Sequence, residues 1–170
     1  DGCVGSSATE LLCSLAWAVS PPRGSNIVST KASFPSTVYP WTRVADENGA
    51  EVRLADHDSD LYTNPEDILS LIDEKTSVVT LSHVEFSSGQ RYDLRRFSDA
   101  AHSVGAMFVV DATQSMGMVP IDAASTGADV IVSSGYKWLR GTYGAAIGYI
   151  SPSVCSNLYP GLLGFRSHAE

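Results

Sequence analysis

The sequence predicts an α/β fold in three layers: a mostly parallel sheet, helices on both faces, and one antiparallel strand. Three observations predict it. Short β-rich runs alternate with helical stretches along the chain, the pattern of βαβ crossovers. The β-rich runs are nearly continuous in apolar residues, as strands become when both faces of a sheet are covered. The last run follows its predecessor after a connection too short for a helical crossover, so it should lie antiparallel.

The elements follow in order. Residues 7–19 place Leu11, Leu12, Leu15 and Val19 on one broad helical face, and Ser7 and Glu10 have capping-box spacing. Asn26–Thr30 reads as a strand. Pro35–Asn48 reads as a helix in which Pro40 is expected to break or kink the first part. Glu51–Ala55 is the next strand. Asn64-Pro65-Glu66-Asp67 supplies a cap, a first-turn proline and acids, and Ile68, Leu69, Leu71 and Ile72 supply the apolar stripe. A strand over 77–82 follows. Asp93 then caps a helix that turns Leu94, Phe97, Ala101 and Val104 inward and stops at Gly105. Residues 106–110 and 129–133 are further strands, and 144–150 is the antiparallel one.

Composition bounds the function. The chain has 170 residues, 44% hydrophobic and 18% charged, enough for one core but not for two large domains, so 1–170 is read as one domain. Eleven Lys and Arg against 19 Asp and Glu give a net charge of −8, which repels phosphate backbones and argues against a nucleic-acid partner. The longest apolar run, Leu11 to Val19, is interrupted by Cys13 and Ser14 and falls short of the roughly 20 residues that span a bilayer, so no membrane partner is expected. Cys3, Cys13 and Cys155 are odd in number and widely spaced. They suit neither a disulfide framework nor a zinc site, and fit a reducing cytoplasm; no metal site is expected. The chain does not begin with Met, and Gly164 to Glu170 offers no terminating element, so the domain is expected to be incomplete at both ends.

Ligands of open parallel sheets bind outside the carboxyl ends of the strands, so the residues that follow each strand are the candidates. Asp111 ends the run Met107-Phe108-Val109-Val110, where a buried carboxylate must be paired or serve as a cap. Gln114 can reach the same pocket. Lys137 follows Asp111 by 26 residues, one αβ unit, and is flanked by Tyr136 and Trp138; in a partly desolvated pocket such an amine is a Schiff-base nucleophile, and on a surface loop it is a solvated lysine. Ser134 suits a phosphate or a turn. Ser7 to Glu10 opens a helix, and its free N–H groups with Thr9 form either a simple cap or a phosphate cradle. Phe34 is core or an aromatic plate for a planar ring. His83 lies at the same edge and reads more readily as structural. A phosphate cradle, an aromatic plate, a buried Asp and a lysine at one sheet edge form a pyridoxal-phosphate constellation. Neither G-x-G-x-x-G nor G-x-x-x-x-G-K-[ST] occurs, which counts against a second class, a doubly wound nucleotide-binding oxidoreductase. A third class is a non-catalytic fragment that keeps the fold without cofactor.

The segments Val109 to Gly117, Ser134 to Leu139 and Gly141 to Gly144 resemble class-V aminotransferase-fold enzymes, as do Phe34-Pro35-Ser36, Ser82 to Glu85 and Gly89-Gln90. These are fold-type I pyridoxal-phosphate enzymes that include cysteine desulfurases, selenocysteine lyases, isopenicillin-N epimerase-like proteins and kynureninase. The resemblance covers nearly the whole chain. It implies the large, cofactor-binding domain of such an enzyme, pyridoxal 5'-phosphate as cofactor, a small amino acid as substrate and a homodimer with the active site at its interface. By the same resemblance Lys137 is the Schiff-base lysine and Asp111 pairs with the pyridine nitrogen. Gln114 contacts the ring's phenolic oxygen or the lysine side, and Phe34 stacks on the ring. Ser134, Tyr136, Thr9 and the Ala8 backbone hold the phosphate. The sequence departs from desulfurases at three places: Tyr136 replaces the His before the lysine, Phe34 replaces a stacking His, and Phe86 stands where several members carry Asn. These departures favour the kynureninase and epimerase-like side. A catalytic-cysteine loop and the substrate-carboxylate arginine are expected beyond Glu170.

Overall fold

The structure, a computed structural model, describes residues 2–161. The stretch Gly164 to Glu170, expected to lack a terminating element, lies outside the described residues. The described residues form a seven-stranded sheet from β1 (Gly2–Gly5), β2 (Asn26–Thr30), β3 (Glu51–Ala55), β4 (Thr76–Ser82), β5 (Met107–Asp111), β6 (Val130–Ser134) and β7 (Ala146–Ile150). Their order across the sheet is β1-β7-β6-β5-β4-β2-β3. The pairs from β3 through β6 are parallel, and β7 is antiparallel to both β6 and β1. The expected strands are present within a residue or two at each end.

β1 is an addition to the expected set. Gly2-Cys3-Val4-Gly5 carries two glycines in four residues and has little strand character of its own; β7 supplies its pairing. Because β1 and β6 are both antiparallel to β7, β1 runs with the parallel strands. It delivers the chain to the edge where they end, and there α1 (Ala8–Val19) begins.

The helices cover both faces. Strand alternation sends Ile27, Val78, Val109, Val130 and Val132 beneath α1 and α2 (Pro35–Asn48), where they meet Leu12, Leu15, Trp41 and Val44. It sends Val28, Val79, Phe108, Val110 and Ile131 to the other face. They pack there against Ile68 of α3 (Pro65–Ser70) and against Leu94, Phe97 and Ala101 of α4 (Leu94–Ser103). Each such side chain contributes about 1.5–3 kcal/mol on burial, so both faces of one strand are needed to hold the layers together. Two short helices, α5 (Ala123–Thr126) and α6 (Pro152–Cys155), were not legible as periodic patterns.

The helix ends follow local chemistry. Ser7 Oγ accepts from the Glu10 N–H at 3.1 Å. The Glu10 carboxylate accepts the Ser6 N–H at 2.6 Å, so the box closes one residue earlier than its spacing implied. α1 stops where Ser20 turns left-handed, φ 47, before Pro21-Pro22. Asn64 and Asp93 cap α3 and α4 as expected. α3 ends at Ser70, and Leu71 and Ile72 pack on the core from the turn beyond it. The expected break at Pro40 does not occur: α2 is continuous. Pro40 removes a single helix hydrogen bond near the start of the helix, and burial of Val38, Pro40, Trp41 and Val44 holds the element together.

Candidate active site

The connections from β2 run outward to β3, while β4 lies on the other side of β2. A sheet that reverses its winding opens a crevice at the carboxyl ends of its strands. One cleft there is lined by Ala8, Thr9, Phe34 and Asp111, and equally by Gln114, Ser134, Tyr136 and Lys137. The structure thus brings together all eight residues singled out in the sequence. It adds Ser7, Ser36, Ser82, Val84, Phe86 and Thr113 to the same walls.

One end of the cleft is a set of hydrogen-bond donors. α1 and α2 both start there, and the first N–H groups of a helix lack intrahelical acceptors. Thr9 Oγ1 and Ser36 Oγ, from the first turns of the two helices, lie 2.7 Å apart. The Ala8 N–H donates to Ser134 Oγ at 3.3 Å, which ties α1 to the end of β6. The Ser134 N–H in turn donates to Thr113 Oγ1 at 3.1 Å. Two helix N-termini and three hydroxyls make a site for an anion. Phe34 occupies the N-cap position of α2 and makes no side-chain cap bond. A polar cap there is worth about 1 kcal/mol, so an aromatic ring at that position has been placed for the cleft rather than for the helix.

The other end carries Asp111. It ends β5 between Ser82 of β4 and Val132 of β6 and is only 5% exposed. Its Oδ1 accepts the Thr113 N–H at 2.9 Å and its Oδ2 accepts the Thr37 hydroxyl at 3.1 Å. These two bonds fix the carboxylate and leave each oxygen a lone pair for a further donor. Thr37 and Thr113 had not been singled out; their signal is the Asp-x-Thr spacing and a Thr in the first turn after Phe34.

Lys137 stands between these ends on the turn after β6. Its Nζ lies 5.6 Å from the Phe34 ring centre and 6.0 Å from that of Tyr136. Phe34 meets Phe86 edge-on with ring centres 5.2 Å apart, and Tyr136 stacks on Tyr143 at 4.4 Å. The lysine turn is braced by the Gly135 N–H to Ala145 C=O bond, 2.8 Å, and the Gly141 N–H to Gly135 C=O bond, 2.8 Å. Gly117, at φ 96, lies against it so closely that a Cβ would sit 2.5 Å from the Trp138 carbonyl oxygen.

His83 does not line the cleft. Alternation at the end of β4 sends Ser82 and Val84 toward it and turns His83 away, where Nδ1 lies 3.0 Å from Ser115 Oγ. Burial, then the charge of Arg91, pushes its pKa down. Glu85, just beyond, is the group that sequence reasoning missed. It is 1% exposed, and burial raises its pKa to about 7 against the opposing hydrogen bonds of Ser33 and Ser82.

Known proteins resemble this chain in sequence and in fold. The chain is 33% identical over 142 residues to a probable cysteine desulfurase of Methanothermobacter thermautotrophicus, covering 84% of this chain and 35% of that one. It is 32% identical over 147 residues to a kynureninase of Pseudomonas fluorescens, covering 85% and 34%. A cysteine desulfurase from Thermococcus onnurineus, solved in the apo state, superimposes with a TM-score of 0.89 at 26% identity over 96% of this chain and 41% of that chain. The chain therefore spans about a third of the length of the curated relatives it matches. The mostly parallel sheet, with β7 antiparallel to both of its neighbours, has the fold of fold-type I pyridoxal-phosphate enzymes. The family model described as aminotransferase class-V matches residues 4–167, and the chain belongs to the class-V aminotransferase family.

Proposed function

We propose that this chain is the cofactor-binding core of a pyridoxal-phosphate enzyme acting on an amino acid, with Lys137 as the cofactor-binding lysine. The observation that carries the reading is the convergence in one cleft of a two-helix donor end, a fixed Asp111 carboxylate and the Lys137 amine. Pyridoxal phosphate has an anionic group, an aromatic ring with a protonatable nitrogen, and an aldehyde, and the donor set fits these in that order. When bound, it supplies an electron sink for the bond broken at the amino acid's Cα.

The chain's own residues have distinct tasks. Thr9, Ser36, Ser134 and the first turns of α1 and α2 bind the phosphate, with Tyr136 at its border. Asp111, held by Thr37 and Thr113, keeps a proton on the ring nitrogen. Phe34 covers one face of the ring and excludes water. Gln114, on the wall of the same cleft, would contact the ring's phenolic oxygen or the lysine side. Lys137 would hold the aldehyde end of the cofactor and would be the base that moves a proton at Cα.

The reaction belongs on the kynureninase and epimerase-like side. The support is the pair of further aromatic residues on the cleft wall, Phe86 and Tyr136, which suit a substrate with a large planar side chain. Cysteine desulfuration is the alternative, since the desulfurase and kynureninase relatives are equally similar. The active protein is proposed to be a homodimer working in the cytoplasm.

The test uses the full-length protein loaded with pyridoxal phosphate and reduced with borohydride, followed by mass mapping. A pyridoxyl adduct on Lys137, absent in Lys137→Ala, is expected; an adduct retained in that variant would overturn the assignment. Parallel assays of sulfide release from cysteine and of kynurenine cleavage then separate the two reactions.

A further inference from the structure

Glu85 is the most completely buried carboxyl group among the described residues. It lies just past the end of β4, where its N–H donates to the Gln90 carbonyl at 2.9 Å and its own carbonyl accepts the Gly89 N–H at 3.0 Å. Its Oε1 accepts the Ser33 hydroxyl at 2.9 Å, and the Ser82 hydroxyl also faces the carboxyl. Its Oε2 has no partner among the described residues. The titratable groups that face it are the Asp111 carboxylate from β5 and the Tyr92 phenol from the segment before α4. No lysine, arginine or histidine forms an ion pair with it among the described residues. The Tyr92 hydroxyl is likewise buried without a hydrogen-bond partner.

A carboxylate in such a place is poorly solvated and unpaired, whereas a neutral acid needs only to place one O–H. The unpartnered Oε2 can carry that proton without giving up an existing hydrogen bond. Glu85 does not line the cleft, but Ser82 does, and Ser82 is the β4 residue in register with Asp111. The strand pair that ends in Asp111 therefore also carries the residue whose hydroxyl faces Glu85.

We propose that Glu85 is a positioning residue that stands behind Asp111 as a neutral acid, and that its charge state sets how firmly Asp111 holds a proton on the cofactor ring. This inference rests on the pyridoxal-phosphate reading. While Glu85 keeps its proton, Asp111 acts as a single negative charge. When Glu85 releases it to solvent, a second negative charge lies beside Asp111 and holds a proton on any group in contact with Asp111 to higher pH. The coupling is reciprocal, so a cation against Asp111 makes Glu85 give up its proton more easily.

The test begins without cofactor, on full-length protein carrying 13C at its glutamate side-chain carboxyls, with the Glu85 signal assigned by its loss in Glu85→Gln. Glu85 is expected to titrate near pH 7, which is proton binding more than about 100-fold tighter than a free glutamate shows. Asp111→Asn should move that midpoint down by removing the neighbouring charge, and Ser33→Ala should move it up by removing a donor to the ionised form. A midpoint in the ordinary glutamate range, or one that Asp111→Asn leaves in place, overturns the proposal. In protein loaded with 15N-labelled pyridoxal phosphate, Glu85→Gln should bring loss of the ring-nitrogen proton to lower pH; an unchanged nitrogen titration also overturns it. The parent reading fails separately, by absence of an adduct at Lys137 in a protein whose Glu85 titrates as expected.

Discussion

Asp111 shows how a single buried charge can be both tolerated and used. At 5% exposure it would be destabilising if left unpaired, yet the Thr113 N–H and Thr37 hydroxyl occupy one lone pair on each oxygen. Its outward lone pairs then face the cleft. Asp111→Ala should keep the borohydride adduct at Lys137, which needs only the amine, while turnover falls by about 10²-fold or more through loss of the proton on the ring. Turnover within a few fold of wild type would remove Asp111 from the chemistry. Glu85 makes a stability prediction of the opposite kind. It binds its proton more tightly folded, near pH 7, than unfolded, near 4.5. The stability this gives is complete below the unfolded value and is lost as pH rises through about 7, a change on the order of 3 kcal/mol. Glu85→Gln keeps the neutral shape and cannot ionise. It should match wild type in urea midpoint at pH 4 and exceed it at pH 8.5. Equal midpoints at both pH values would mean that Glu85 is ionised without penalty.

The turns after β5 and β6 place the chemistry more than any helix or strand does. The two turns touch at Gly117, which combines a left-handed φ of 96 with a Cβ position 2.5 Å from the Trp138 carbonyl. Gly117→Ala meets both penalties, because the alanine is strained at that φ and backbone rather than a flexible side chain must give way. It should cost roughly 1–3 kcal/mol in stability and displace the lysine turn, weakening pyridoxal-phosphate binding measured by absorbance. Wild-type affinity in that variant would show that the lysine turn is positioned by β6 and β7 alone. α1 and α2 contribute through their starts: their first turns meet at Thr9 and Ser36, while their apolar faces anchor them on Ile27, Val78 and Val109.

The outer rim of the cleft carries Tyr136, Trp138 and Tyr143, with Tyr143 79% exposed although it stacks on Tyr136. Exposed aromatic clusters beside a binding cleft mark surfaces that another protein surface covers. The full-length protein is expected to sediment as a dimer, and Tyr143→Glu, which places a charge on that rim, should shift it toward monomer. A monomeric wild-type protein would remove the dimer from the proposal. No helix among the described residues is long and apolar enough to cross a membrane.

The local order of residues determined most of the elements and the family to which the chain belongs. Short, nearly continuous apolar runs marked β2 to β7, Asn64 and Asp93 marked helix starts, and Asp111 and Lys137 were visible because each follows an apolar strand. These features depend on neighbours in sequence, which a linear reading can see. Pairing across the sheet decided the rest. β1 became a strand only because β7 offers its edge, and Pro40 stayed inside a helix because the core packs around it. His83 turned away from the cleft while Ser82 and Val84 faced it, a choice set by the register of β4 against β5. Glu85 enters the sequence reading only within the Ser82 to Glu85 segment; its burial comes from segments far away in the chain, such as Ser33 after β2. Burial and electrostatic environment depend on three-dimensional neighbours, so the folded chain alone could assign them.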